Sequence, residues 1–151
     1  MNLQEELKEL KERIAELEEL AKGEQGFPKV GDEYWYMTTT GKIFNSNWDS
    51  FVSEEYMLEI GNVFRTKEQA EFAVEKLKVE AELQKFGRPF KEDEYNYFIQ
   101  IHPSHNNIVV ESDDFYQTQG TIYFESTAIA NEATDTVGED RIKKYLFGVE
   151  G

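Results

Sequence analysis

The 151-residue chain contains no cysteine, only three prolines and two histidines, and about half as many basic as acidic residues. Without cysteine, disulfides, zinc–thiolate sites and thiol nucleophiles are excluded. No apolar run approaches the roughly 18 residues of a membrane span. No apolar segment precedes the first charged residues, so we expect neither a membrane anchor nor a secretory signal. We therefore expect a cytoplasmic protein.

The scarcity of basic residues gives a net charge of −15, from 16 Lys and Arg against 31 Asp and Glu. The excess is spread along the chain: residues 1–27 carry 8 acids and 4 bases, and residues 28–151 carry 23 and 12. Direct binding to nucleic acid needs clustered Lys and Arg, so it is not expected. An acidic surface instead attracts basic proteins, or it serves only to keep the protein soluble.

The first 22 residues carry a heptad repeat. Its apolar positions are spaced alternately four and three residues apart, which forms a seam that a second helix must cover. The seam consists of Leu3, Leu7, Leu10, Ile14, Leu17 and Ala21. In a parallel pair, Glu6 would face Lys11 and Arg13 would face Glu18 of the other chain. We therefore predict a homo-oligomer, most simply a dimer; the alternative is a helix that folds back on its own domain.

Glycine and proline divide the chain after this helix, because Gly23, Gly26, Pro28 and Gly31 interrupt the helical pattern. We predict an oligomerisation helix at 1–22, a linker at 23–31 and one α+β domain at 32–151. A chain of this length has room for one domain in addition to the helix.

A repeat with a period of 60 residues lies inside that domain. Each copy reads as the end of a strand, a hydroxyl N-cap and a helix with small residues on one face. The matched pairs are Phe64 and Phe124, Thr66 and Ser126, Ala70 and Ala130, Ala73 and Ala133, and Leu77 and Val137. The pattern predicts two antiparallel β-meander–α units, at about 32–87 and 93–147; chance similarity of two strand–helix joins is the alternative.

Local patterns place the elements of each copy. Gly41 predicts a hairpin between 34–39 and 42–48, and apolar alternation predicts a strand over 95–102 that turns at 103–107 and returns over 108–111. The helix at about 67–86 carries two apolar stripes on opposite sides, so we expect both sides to be covered. The stripes are Ala70, Ala73, Val74, Leu77 and Ala81, and Phe72, Val79, Leu83 and Phe86.

Groups suited to catalysis or metal binding are few. His102 and His105 have H-x-x-H spacing, but they fall in a polar turn without a third ligand, so we expect no metal site. Acidic pairs such as Asp113 and Asp114 occur without the spacing of a calcium loop. No phosphate-binding glycine loop and no nucleophile elbow is present. We expect a non-enzymatic protein without a cofactor.

An aromatic concentration is the best candidate for a binding surface, because exposed aromatic side chains anchor proteins and flat ligands. Basic residues nearby in the sequence would add a phosphate clamp if the ligand were a nucleotide. The alternative is that the aromatic residues fill a small core. The candidate residues are Tyr34, Trp35, Tyr36, Trp48, Arg65, Lys67 and Arg88, with Phe44 and Phe51 beside them.

Three segments, at 31–36, 61–71 and 140–145, resemble small proteins that are encoded by phages and prophages of Gram-positive bacteria. The resemblance spans most of residues 30–150 and brings no assigned activity and no functional residue. It implies expression in the cytoplasm of an infected host and an accessory role there, such as blocking a host defence.

Three binding functions follow as hypotheses. In the first, the protein is an acidic oligomeric antagonist that occupies a basic, nucleic-acid-binding host protein. In the second, it is an oligomeric sponge that holds a nucleotide-like signal in aromatic pockets, with Trp35, Tyr36 or Trp48 stacking on the ligand. In the third, it is a structural adaptor whose helix recruits a partner helix.

Overall fold

A computed structural model of the chain describes residues 2–149, apart from the side chains at positions 19 and 21–25. The described part is an α+β protein with five α-helices and two antiparallel two-stranded sheets, which confirms the predicted class. It divides into two compact units, with the boundary between Ala70 and Glu71. None of its helices is long and apolar enough to cross a membrane.

Helix α1 (Leu3–Gln25) opens the first unit. Asn2 caps it, because its side-chain Oδ1 accepts a hydrogen bond from the Glu5 amide at 2.9 Å. Glu5 and Glu6 lie in its first turn, where negative charges interact favourably with the helix dipole.

A hairpin of β1 (Glu33–Met37) and β2 (Ile43–Asn47) follows, with Glu33 opposite Asn47 and Met37 opposite Ile43. Gly41 allows the tight turn with its φ of 80°. A short helix, α2 (Val52–Glu59), comes next and was not predicted. The chain then returns to the hairpin, where Phe64 and Trp35 exchange backbone hydrogen bonds at 2.8 Å.

The second unit contains the hairpin of β3 (Asn96–His102) and β4 (Asn107–Asp113), which confirms the predicted strand, turn and return. Phe124 and Tyr97 exchange backbone hydrogen bonds at 2.7 and 3.2 Å, as the returning segment meets the first strand of the hairpin. Helix α4 (Thr127–Val137) begins at Ser126, whose Oγ accepts from the Ile129 amide. Helix α5 (Glu139–Leu146) completes the unit.

The core of the second unit joins the end of the long helix α3 (Lys67–Gln84) to α4, α5 and the returning segment. Its buried members are Val79, Leu83, Phe124, Ala130, Ala133, Val137 and Ile142. Small residues on α4 allow this close approach of helix and strand. Half-buried residues of β3 and β4, among them Ile99 and Val110, pack against the cluster.

Within the single chain, helix α3 buries its two apolar stripes in different halves. Ala70 and Val74 are buried at its start, whereas Val79 and Leu83 are buried towards its end on the opposite side. Leu77 belongs to the first stripe but is 53% exposed, because burial has changed sides by that point.

Gly87 follows α3 at a point of close backbone approach. A Cβ atom placed on it would lie 2.9 Å from Ile122 Cγ2 and 3.2 Å from the Tyr123 carbonyl oxygen. The next residue, Arg88, donates its amide to that same carbonyl at 2.7 Å. The absence of a side chain at position 87 therefore lets the chain pair with the segment that contains Tyr123.

A buried amide connects the loop before β3 to the hairpin. Asn96 is fully buried, and its Oδ1 accepts hydrogen bonds from Arg88 Nη1 at 2.7 Å and from the Lys91 amide at 2.8 Å. Its Nδ2 donates to the carbonyl oxygens of Lys91, Glu94 and Asp113. One buried side chain thus hydrogen-bonds several polar groups of the loop and the hairpin.

We predict that Asn96→Ala lowers the free energy of unfolding by about 2–4 kcal/mol, because it removes all the hydrogen bonds of a fully buried side chain and leaves a cavity. Urea unfolding followed by circular dichroism measures the change. Asn131→Ala is the matched control, since Asn131 is exposed on α4. Equal stability of the two variants would contradict the role of Asn96.

Candidate binding surfaces

The predicted aromatic surface divides into buried and accessible members. Tyr34 and Trp48 are each only 2% exposed, so they form the interior of the first unit. Their rings meet edge to face at 5.5 Å, and Tyr36 lies 5.8 Å from Tyr34. Trp35 and Tyr36 are half-buried and Phe44 is half exposed. A ligand that stacked on this cluster would reach Trp35 and Tyr36 but not Trp48.

Glu54 is the one buried carboxylate among the side chains that the structure describes. Tyr34 donates its hydroxyl to Glu54 Oε2 at 2.6 Å. The amides of Asp49 and Phe51 donate to Oε1, each at 3.0 Å. Phe51 is the N-cap of α2, so Glu54 supplies the reciprocal half of a capping box and fixes where the helix begins.

These contacts shift both titrations. Burial, followed by the hydrogen bond to Glu54 and its charge, raises the pKa of Tyr34 to about 12. Burial alone would raise the pKa of Glu54, but the hydrogen bonds from Tyr34, Phe51 and Asp49 outweigh it and lower that pKa. Glu54 is therefore a charged structural group and not a proton donor at neutral pH.

The three predicted basic residues occupy different settings. The Arg65 guanidinium lies over the Phe27 ring at 4.7 Å, and Lys67 is exposed at the start of α3. Arg88 belongs to the second unit, where Nη1 donates to Asn96, Nη2 donates to the Tyr95 carbonyl at 2.9 Å and Nε pairs with Glu125. Its donors thus serve the loop before β3, which leaves little for a phosphate.

A cavity of about 250 Å³ lies in the second unit beside the core. Its wall is mostly apolar and includes one lysine and one glutamate of α3. The lining consists of Lys76, Glu80, Leu83, Ile99, Gly120, Thr121, Ile122, Phe124, Leu146 and Phe147. None of the seven predicted surface residues borders it.

The two histidines stack on each other in the turn between β3 and β4, with ring centroids 4.6 Å apart. The described residues contain no group of three or more His, Asp or Glu side chains that could hold a metal ion. His102 Nδ1 instead accepts a hydrogen bond from the Ser104 amide at 3.2 Å. The pair acts as part of the turn.

The α1 seam is exposed along its whole described length. The exposed fraction of its side chains runs from 49% at Leu17 to 83% at Leu3, with Leu7, Leu10 and Ile14 in between. The side chain of Ala21 lies outside the described residues. Five aliphatic side chains on one open helix face form a surface that water solvates poorly.

Helix α2 carries a second open apolar face, which sequence reasoning missed. Val52, Tyr56 and Ile60 follow one another at intervals of four residues and are 70%, 63% and 79% exposed. We call these three residues the α2 stripe. The spacing of four was the available signal, but a segment of eight helical residues is too short for periodicity to distinguish it from a loop.

A third exposed apolar group follows β4. Phe115 and Tyr116 are largely exposed, and their rings meet at 4.9 Å. Asp113 Oδ1 accepts hydrogen bonds from the amides of Tyr116 and Phe115, which lowers the pKa of the Asp113 carboxyl.

We predict that Glu54→Gln lowers the free energy of unfolding at neutral pH by about 1–3 kcal/mol, because a charge-assisted hydrogen-bond set is lost. The folded-state pKa of Glu54 is lowered, so its contribution is present above the unfolded-state pKa and fades as the pH falls through the folded-state value. The gap between wild type and variant should therefore shrink below about pH 4. Urea titrations monitored by tryptophan fluorescence measure it. Exposed Glu55→Gln is the control, and a gap independent of pH would contradict the assignment.

The described residues thus present three exposed apolar surfaces: the α1 seam, the α2 stripe and the Phe115–Tyr116 pair. Nearly all described carboxylates are at least partly exposed. The chain matches no family model, no curated protein and no solved structure.

Proposed function

We propose that this protein is a non-enzymatic homodimer that uses an acidic surface to bind a basic protein. The observation that carries the proposal is the open α1 seam. A monomer gains nothing from five exposed aliphatic side chains in register on one helix face, whereas a second copy buries all of them.

The charged residues beside the α1 seam favour a second copy of this chain as its partner. In a parallel pair, the g-position residues Glu6 and Arg13 meet the e-position residues Lys11 and Glu18 of the other chain, and both contacts are attractive. Arg13 already contacts Glu16 of its own helix at 3.1 Å, with both side chains exposed. An exposed contact of this kind is weak, so Arg13 can turn to Glu18 of the partner at little cost.

A long acidic segment without basic residues lies in the second unit. Residues 92–140 contain no Lys or Arg, and this segment forms β3, β4, α4 and the start of α5. Bases from outside the segment offset part of this charge, because Lys91 contacts Glu94 and Glu125, Arg88 contacts Glu125 and Lys143 contacts Glu139. The acids are Glu92, Asp93, Glu94, Glu111, Asp113, Asp114, Glu125, Glu132, Asp135, Glu139 and Asp140.

The partner class follows from that charge. A surface with an excess of acidic residues attracts Lys- and Arg-rich surfaces, and proteins that bind nucleic acid carry such surfaces. The resemblance of residues 30–150 to small phage proteins supports a host-defence protein of this kind as the target. The nucleotide sponge has weaker support, because Trp48 is buried and the Arg88 guanidinium is committed to contacts within the second unit.

We also propose that the two hairpins arose by internal duplication. Each hairpin is followed by a segment that forms an antiparallel bridge with its first strand, at Phe64 and at Phe124. Each bridge leads into a helix whose first turn is capped by a hydroxyl, from Thr66 or Ser126. Ala70 and Ala130, one turn further on, are both fully buried.

We predict that Leu10→Ser combined with Ile14→Ser converts the dimer to a monomer at micromolar concentrations, because it removes two of the central layers of the seam. Light scattering on the full chain measures the mass. Glu5→Gln with Glu12→Gln, on the outer face of α1, is the control and should stay dimeric. Glu6→Lys should weaken the dimer, and adding Lys11→Glu should restore it. A monomeric wild-type protein would refute the dimer.

We predict that affinity capture from a Gram-positive host lysate recovers a basic, nucleic-acid-binding protein, and that capture falls as salt screens the contact. Added duplex DNA should compete with this protein for the captured partner, since both would use the same basic surface of that partner. Mass spectrometry of proteins and small molecules reads the result. Recovery of a nucleotide without a protein partner would contradict the proposal and favour the sponge.

A further inference from the structure

We propose that the α2 stripe is the docking surface for an amphipathic helix with a basic edge. This inference rests on the proposed binding function and identifies where its partner makes apolar contact. Val52, Tyr56 and Ile60 lie on the same side of the helix in successive turns. The last turn reaches Ile60, because its amide donates to the Tyr56 carbonyl at 3.4 Å. An open face with this spacing matches the grooves and ridges that a second helix presents.

Charge beside the stripe specifies the partner. Glu55 and Glu59 each follow a stripe residue by three positions, so they form one edge of the same helix face. Both are exposed, and residues 43–64 contain no Lys or Arg. A partner helix that covers the stripe therefore places its own flanking residues against carboxylates, which favours Lys and Arg at those positions.

The same charges disfavour a second copy of this segment. Two copies of α2 packed antiparallel would place both acidic edges on the same side, and neither copy could supply a cation from residues 43–64. Helix α1 is also disfavoured, because the proposed dimer already covers its seam. Tyr56 provides the type of side chain that dominates protein interfaces, with a large apolar ring and a polar tip.

The base of the helix is rigid, which suits a docking surface. Glu54 lies on the opposite side of α2 and is held by Tyr34 and by the amides of Asp49 and Phe51. The helix is thereby fixed before a partner arrives, so that binding does not have to order it.

The test uses full-length protein and three labelled synthetic peptides of about 18 residues, long enough for a helix to form on binding. The first has leucines along one helix face and lysines elsewhere, the second has the same composition in scrambled order, and the third has glutamate in place of lysine. Fluorescence anisotropy measures the affinities. The patterned lysine peptide should bind more tightly than the scrambled one, and the glutamate peptide should not bind.

Two double variants locate the site. Val52→Ser with Tyr56→Ser should weaken binding of the patterned peptide about tenfold or more, as expected for the loss of an interface anchor. Phe115→Ser with Tyr116→Ser removes as much exposed apolar surface elsewhere without changing charge, and it should have little effect. Glu55→Gln with Glu59→Gln should weaken binding more than Glu5→Gln with Glu12→Gln, which removes the same charge from the outer face of α1.

Each contrary result has a distinct meaning. Equal binding of the patterned and scrambled lysine peptides, unchanged by Val52→Ser with Tyr56→Ser, overturns the α2 stripe as the docking surface but leaves the acidic binding function in place. Failure of every lysine peptide to bind contradicts both. A change in oligomeric state caused by Val52→Ser with Tyr56→Ser, measured by light scattering, makes another segment of this protein the occupant and also overturns the inference.

Discussion

Each hairpin of this protein depends on a third segment that bonds to its first strand. Two antiparallel strands alone are marginally stable in water, because they bury little and leave both edges unpaired. Phe64 supplies the missing backbone partner for Trp35, and Phe124 does so for Tyr97. The same two segments lead directly into α3 and α4, so the closure of each hairpin also sets where a helix begins. Each of these two connections thus links a hairpin to the helix that follows it in the chain.

The distribution of polar groups complements that architecture. The main buried polar side chains are Glu54 and Asn96. Each connects a loop to a hairpin or to the start of a helix, and each makes several hydrogen bonds. The remaining described carboxylates lie at least partly in solvent. Acidity is thus compatible with a stable fold because the one buried carboxylate among the described side chains, that of Glu54, is hydrogen-bonded at both oxygens.

Sequence patterns predicted the elements whose side chains have one clear period. The heptads of α1, the alternation in β3 and the N-cap hydroxyls of Thr66 and Ser126 all have local causes. Helix α2 could not be predicted because its start depends on Glu54, whose position is fixed through Tyr34, twenty residues earlier.

The candidate binding surface was harder to predict than the fold. The aromatic residues at 34, 35, 36 and 48 cannot be distinguished by sequence. In the structure, however, Tyr34 and Trp48 are buried, whereas Trp35 and Tyr36 are partly accessible. Arg88 resembles a ligand-binding cation until its contacts to Asn96 and Glu125 are seen. The α2 stripe emerges only when exposure is known, because its spacing alone is equally typical of a buried face.

Gly87 offers a criterion for recognising distant kin of this chain. Its requirement is steric and not conformational: a single methyl group there would collide with Ile122 and crowd the Tyr123 carbonyl that Arg88 needs. A sequence that follows the same backbone path and keeps a branched side chain at position 122 is therefore expected to keep glycine at the position equivalent to 87, however much its surface has changed.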